Sequence, residues 1–188
     1  MADLLTHALA TLVVGRAARV EGVSLGWLMT GAFLPDFVSR APTILLGKLV
    51  GPVLPAGDYS EIAFAFSSLH TPFGFGLVAA AVVLALPDVL LPPLSRAGAW
   101  RLLMGGALLH IALDLLQMQY SMPPILFHPI TLWGLDIGFL GTEDSMLAWP
   151  VLIPAALFVE WRAAKQRRAT PLSGPPSEPG AGDVQRLA

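Results

Sequence analysis

The run Leu108-Leu109-His110-Ile111-Ala112-Leu113-Asp114-Leu115-Leu116 sets one imidazole and one carboxylate in an otherwise apolar helical stretch. At ~3.6 residues per turn, positions i and i+4 stack on one face, so His110 and Asp114 point the same way. Gln117, three residues past Asp114, lies near that face. Polar groups taken out of water in so apolar a segment are costly until something satisfies them. Three arrangements would do so: a shared metal ion, a proton relay, or a hydrogen bond between the two side chains.

The rest of the chain is of the same kind. Of its 188 residues 55% are hydrophobic and only 13% charged, against about 25% charged in soluble domains. The expected class is therefore all-α: a polytopic helical membrane protein of about four to five membrane-embedded helices, with broken or re-entrant segments. Net charge is -2 and pI about 6.0, which gives no basic surface for nucleic acid. There are no cysteines, so disulfides, thiolate nucleophiles and cysteine-ligated zinc are excluded. Any transition metal must be held by histidines and carboxylates. Met1-Ala2-Asp3 lacks the basic residues that open a cleavable signal peptide, and none is expected.

Five apolar segments are expected. Residues 4–14 form a short first helix, ending near Arg16 and Arg19. Residues 24–54 are interrupted by Pro35, Pro42, Arg40 and Lys48; proline blocks helix continuation, so a break is expected at Phe33-Leu34-Pro35-Asp36. A polar loop is expected over 55–61, then a span over 71–91 opened by Pro72. Another span covers 100–118, an irregular stretch 119–142, and a last span 144–161 with kinks at Pro150 and Pro154. Residues 1–161 thus read as the membrane domain. Residues 162–188 turn basic and then rich in Pro, Gly and Ser, the composition of a disordered tail.

Basic residues mark the cytoplasmic side of short loops. Arg16 and Arg19, Arg96 and Arg101, and Arg162 to Arg168 then place the N-terminus outside and the C-terminal tail in the cytoplasm. Arg40 and Lys48 fit that scheme poorly, so segment 24–54 either crosses or dips. The topology brings His7, His70, His110 and Asp114 to one depth in the outer half of the membrane, with Asp36 at the expected break able to join them. Each charged residue in a bilayer costs roughly 2.5–3.5 kcal/mol, and gathering them around one cation offsets that cost.

Four elements in this order, Thr6-His7, Gly31-x3-Pro35-Asp36, Leu69-His70-Thr71 and His110-x3-Asp114, resemble the membrane-bound metal-dependent hydrolases, also described as LexA-binding, inner-membrane-associated hydrolases. The likeness covers about residues 1–136. It implies a helical protein of the bacterial inner membrane with a phospholipase-C-like metal centre, and puts forward His7, Asp36, His70, His110 and Asp114 as ligands. Members often carry a His-Arg pair shortly before the His70 element; here Phe64-Ala65-Phe66-Ser67-Ser68 stands instead, and Thr71 replaces the usual serine.

Three imidazoles and two carboxylates suit Zn2+, or Mn2+ and Fe2+, as one ion or two. On this reading His70, His110 and Asp114 hold the principal ion, His7 completes a second site or closes the first, and Asp36 bridges or serves as general base. Substrates at this depth would be lipid-like, a headgroup phosphoester by the resemblance or another ester. His128 is a possible sixth ligand, and Asp3, four residues before His7, could orient its ring. Asp88, Asp136, Glu143 and Asp144 read as loop or capping residues, and Trp100, Trp133, Trp149 and Trp161 as interface anchors. Two other functions compete: a protein whose metal is structural, and an ion- or proton-coupled transporter. The transporter reading is the weaker, because no inverted repeat is present and the ionisable groups share one depth off mid-membrane.

Overall fold

A computed structural model describes residues 4–49, 52, 56–116, 126–131, 133–135, 137–138 and 145–169, with 56–60 and 145–146 in backbone only. Gln117, Asp3, Asp136, Glu143, Asp144 and the tail from residue 170 lie outside the described residues. The chain is all-α: helices α1 (Leu4–Ala17), α2 (Gly22–Leu49), α3 (Ala56–Ser68), α4 (Pro72–Ala85), α5 (Arg96–Leu116) and α6 (Trp149–Ala169), with no strand among the described residues.

Helix α5 is the axis of the bundle, and α2 packs along it most extensively. Two glycines make that approach possible. A Cβ on Gly106 would sit 2.0 Å from the Leu28 carbonyl oxygen, and one on Gly31 would sit 2.2 Å from that of Leu103. With no side chains there, the two backbones touch. On the adjoining face α4 lays Phe75, Ala79 and Val83 against Ala99, Leu103, Ala107 and Ile111 of α5. Helix α1 is held to α6 by a Trp149 indole N–H donated to the Thr6 hydroxyl at 3.1 Å and by the Arg16–Glu160 ion pair. Trp149 is thus a helix-to-helix tie, and Trp100 likewise donates to the Gly76 carbonyl at 3.2 Å.

Several boundaries differ from the sequence reading. The expected break at Phe33-Leu34-Pro35-Asp36 is absent: α2 runs 28 residues through both Pro35 and Pro42. Pro35 supplies no N–H to the turn before it, and its ring is fully buried. The Ser39 hydroxyl donates to the Pro35 carbonyl at 2.7 Å and a ring nitrogen of His110 donates to that of Ala32 at 2.8 Å. Membrane-type helices tolerate proline where such neighbours re-satisfy the main chain. Residues 56–61 of the expected loop are instead the start of α3, where Asp58 falls in the first turn and suits the positive end of the helix dipole; residue 55 lies outside the described residues.

The expected span 71–91 stops at Ala85, because Leu86 precedes Pro87 and takes an extended conformation (φ -75, ψ 137). Arg101 falls inside α5 rather than in a loop, and residues 162–169, expected to open the tail, extend α6. Among the described residues only α5 is long and apolar enough by itself to cross a membrane; Glu61–Ser68 and Pro72–Ala85 qualify together as a pair bent by 75°.

Large apolar side chains stand exposed on every helix, among them Leu5, Phe37, Phe64, Leu84, Leu108 and Phe158. Water-soluble surfaces rarely carry so many.

Candidate metal centre

The bend between α3 and α4 presents His70. Thr71 caps α4: its hydroxyl accepts the Gly74 N–H at 3.0 Å and donates to the Ser68 carbonyl at 2.9 Å. Pro72 follows at the first helical position, where no N–H is needed. Gly74 leaves room for the turn to fold back, as its Cβ would lie 2.7 Å from the Leu69 Cα. The Thr71 hydroxyl therefore performs a local task that a serine would also perform.

His110 and Asp114 follow Gly106 at successive four-residue steps on α5. They lie on the face that meets α2, where Ala32, Asp36 and Arg40 repeat the same step. Helix α1 adds His7, whose ring stacks on that of His110 with centroids 3.8 Å apart. All five side chains named from the sequence thus meet in one cluster drawn from four elements. Two subsets bring their ligand atoms within 4.8 Å of one another: His7, His110 and Asp114, and Asp36, His70 and His110. His7 is buried beside His110 and Asp114, with His70 at the rim. The side chains of His7 and His110 are 0% exposed and that of Asp114 3%, whereas Asp36 is 19% and His70 14% exposed.

The spacings are characteristic. His7 Nε2 lies 3.5 Å from Asp114 Oδ1, and His110 Nε2 lies 3.4 Å from Asp114 Oδ2 and 3.8 Å from Asp36 Oδ1. These exceed a hydrogen-bond length. They are close to the edge, about 3.3 Å, of a tetrahedron drawn with ~2.0–2.1 Å metal–ligand bonds. His70 Nε2 is nearer, 3.1 Å from Asp114 Oδ2.

Tautomers follow from the partners of the other ring nitrogens. A carbonyl can only accept, so His110 Nδ1 carries the proton that it donates to Ala32. In the neutral ring Nε2 is then a bare lone pair, buried, making no hydrogen bond and facing two carboxylate oxygens. The Ser39 hydroxyl proton is committed to the Pro35 carbonyl, so at 3.0 Å Ser39 Oγ accepts from His70 Nδ1. The His110 Nε2 lone pair faces carboxylate oxygens that repel it unless a cation or a proton stands between them. Outer contacts that fix the imidazole tautomer are the usual support of metal-ligating histidine. The buried trio His7, His110 and Asp114 could hold a metal ion.

Arg40 and Ser39 were not found from sequence as members of the site. Arg40 Nε lies 3.0 Å from Asp36 Oδ1 and Nη2 lies 3.6 Å from Asp114 Oδ2. Its i,i+4 spacing from Asp36 was visible in the chain, but its reach to Asp114 on another helix was not. His128 stays apart, packing edge-on against Phe64 with centroids 6.0 Å apart. Asp88 is exposed and pairs with Arg96 at 2.7 Å.

No family model, no curated protein and no solved structure matches the chain.

Proposed function

We propose that the chain is a multi-pass membrane hydrolase of the bacterial inner membrane, dependent on one divalent metal ion, with Zn2+ the best fit to its ligands. Its substrate on this reading is a lipid-like ester, a phosphoester by family resemblance, reached from the outer face, with the C-terminal end in the cytoplasm. The observation that carries the reading is the buried, hydrogen-bond-free Nε2 of His110, held in that tautomer by Ala32 and aimed between two carboxylates. Apolar exposure on every helix supports the membrane setting.

One ion is favoured over two. Both ligand groupings need the same His110 nitrogen, and its other nitrogen is engaged with Ala32. A bound ion of this kind lowers the pKa of a coordinated water to ~7, which supplies a nucleophile at neutral pH. His7, His110 and Asp114 form the inner wall and hold their geometry by burial. Ser39 fixes the His70 ring at the rim. Asp36, the more exposed of the two carboxylates, is positioned to take a proton from water entering there.

A structural metal is the second reading, favoured by the complete burial of His7 and His110. It predicts a closed ion and no turnover.

Metal analysis of the protein purified in neutral detergent decides first. Wild type is expected to hold one equivalent, and His110→Ala and Asp114→Ala to lose it; stoichiometric metal in both variants would end the proposal. Hydrolysis of a panel of lipid and phosphoester substrates by the loaded protein, abolished in Asp36→Asn, then separates enzyme from structural site.

A further inference from the structure

Among the described residues Arg40 is the guanidinium that enters the cluster, and its partners there are the two carboxylates. The oxygens it approaches, Asp36 Oδ1 and Asp114 Oδ2, are the same two that face His110 Nε2. Guanidinium and imidazole therefore face the same pair of oxygens. Two carboxylates, one guanidinium and three neutral imidazoles carry a net charge of about -1, and a divalent ion makes it about +1. Excess charge in an apolar helical body is costly, so the loaded site favours a ligand bringing about one negative charge. Arg40 is placed to meet it. Its side chain is 25% exposed, against 3% for Asp114, and its planar fork matches an oxyanion.

We propose that Arg40 is the anion-binding residue of this centre, receiving an oxyanion, such as a phosphodiester headgroup or free phosphate carries, beside the metal held by the imidazoles and Asp114. This deepens the metal-dependent reading and rests on it.

The test uses the full chain in neutral detergent loaded with Co2+, whose visible absorption reports its ligand sphere. Binding of Co2+ is measured first, then titration with inorganic phosphate and, separately, with micelles of short-chain phosphatidylglycerol. The wild-type spectrum is expected to shift with at least one of them: with lipid alone if the ligand is a headgroup, with phosphate alone if it is a free oxyanion. Arg40→Ala is expected to weaken that anion at least ~tenfold while Co2+ binds as well as before or better. Arg40→Lys falls between. Should Arg40→Ala not fold, Arg40→Gln, which keeps most of the stem without the charge, carries the same expectation.

A merely structural Arg40 would instead weaken Co2+ binding and leave anion affinity per loaded site unchanged. That outcome overturns the proposal, as does a wild-type spectrum indifferent to both ligands. Failure of wild type to bind Co2+ at all is distinct: it defeats the metal reading, and this one falls with it.

Discussion

Replacing Gly106 by alanine tests whether backbone contact between α2 and α5 builds the site. The new Cβ would stand 2.0 Å from the Leu28 carbonyl oxygen and 2.6 Å from the Ala32 amide nitrogen, both main-chain atoms with little freedom to yield. Reaching the 3.4 Å of ordinary contact requires the helices to part by about 1.4 Å. That movement stretches the His110 Nδ1 to Ala32 bond from 2.8 Å to about 4 Å, which breaks it. Overpacking costs ~1–3 kcal/mol and the orphaned buried pair a further ~1–3 kcal/mol, so the loss is about 2–6 kcal/mol.

For a chain of this length the melting temperature should fall on the order of 10 °C. Metal affinity should drop about ten- to hundredfold as His110 loses its outer support. The neighbouring residue supplies the control. A Cβ on Gly105 meets only the Leu28 Cδ1, at 3.4 Å, the end of a flexible side chain. Gly105→Ala should therefore be neutral or gain ~0.5–1 kcal/mol from helix propensity. Thermal unfolding followed by circular dichroism, with metal content measured on the same samples, checks both. If Gly106→Ala melts and binds metal like Gly105→Ala, the close approach does not position the site.

Two further substitutions address single contacts. Ser39→Ala removes the acceptor of His70 Nδ1 and should weaken metal binding about tenfold or more with little change in melting temperature, measured by competition with a chromogenic chelator. Thr71→Ala removes the cap on Gly74 and should cost ~1 kcal/mol by thermal unfolding, while Thr71→Ser, which keeps the hydroxyl, should not.

The helical class and the membership of the cluster were legible in the chain for the same reason. His110 and Asp114 sit at i,i+4 in an apolar run, and His7, Asp36 and His70 are ionisable groups in stretches that offer them no water. The course of α2 was not legible. Pro35 reads as a helix breaker, yet α2 continues through it, with the His110 ring donating to the Ala32 carbonyl in the turn before. The span 71–91 was overdrawn because apolarity continues past the point where Pro87 forces Leu86 out of helical conformation.

Local sequence decides which residues share a face of one helix, and burial makes polar residues on an apolar face seek one another. It was enough to single out five side chains and to group them. Which of them is sealed inside, that Arg40 reaches a second carboxylate, and which ring nitrogen bears the proton were decided by packing. Those properties depend on carbonyls and hydroxyls of other helices, brought within reach where Gly31 and Gly106 let two backbones touch across some seventy residues of intervening chain.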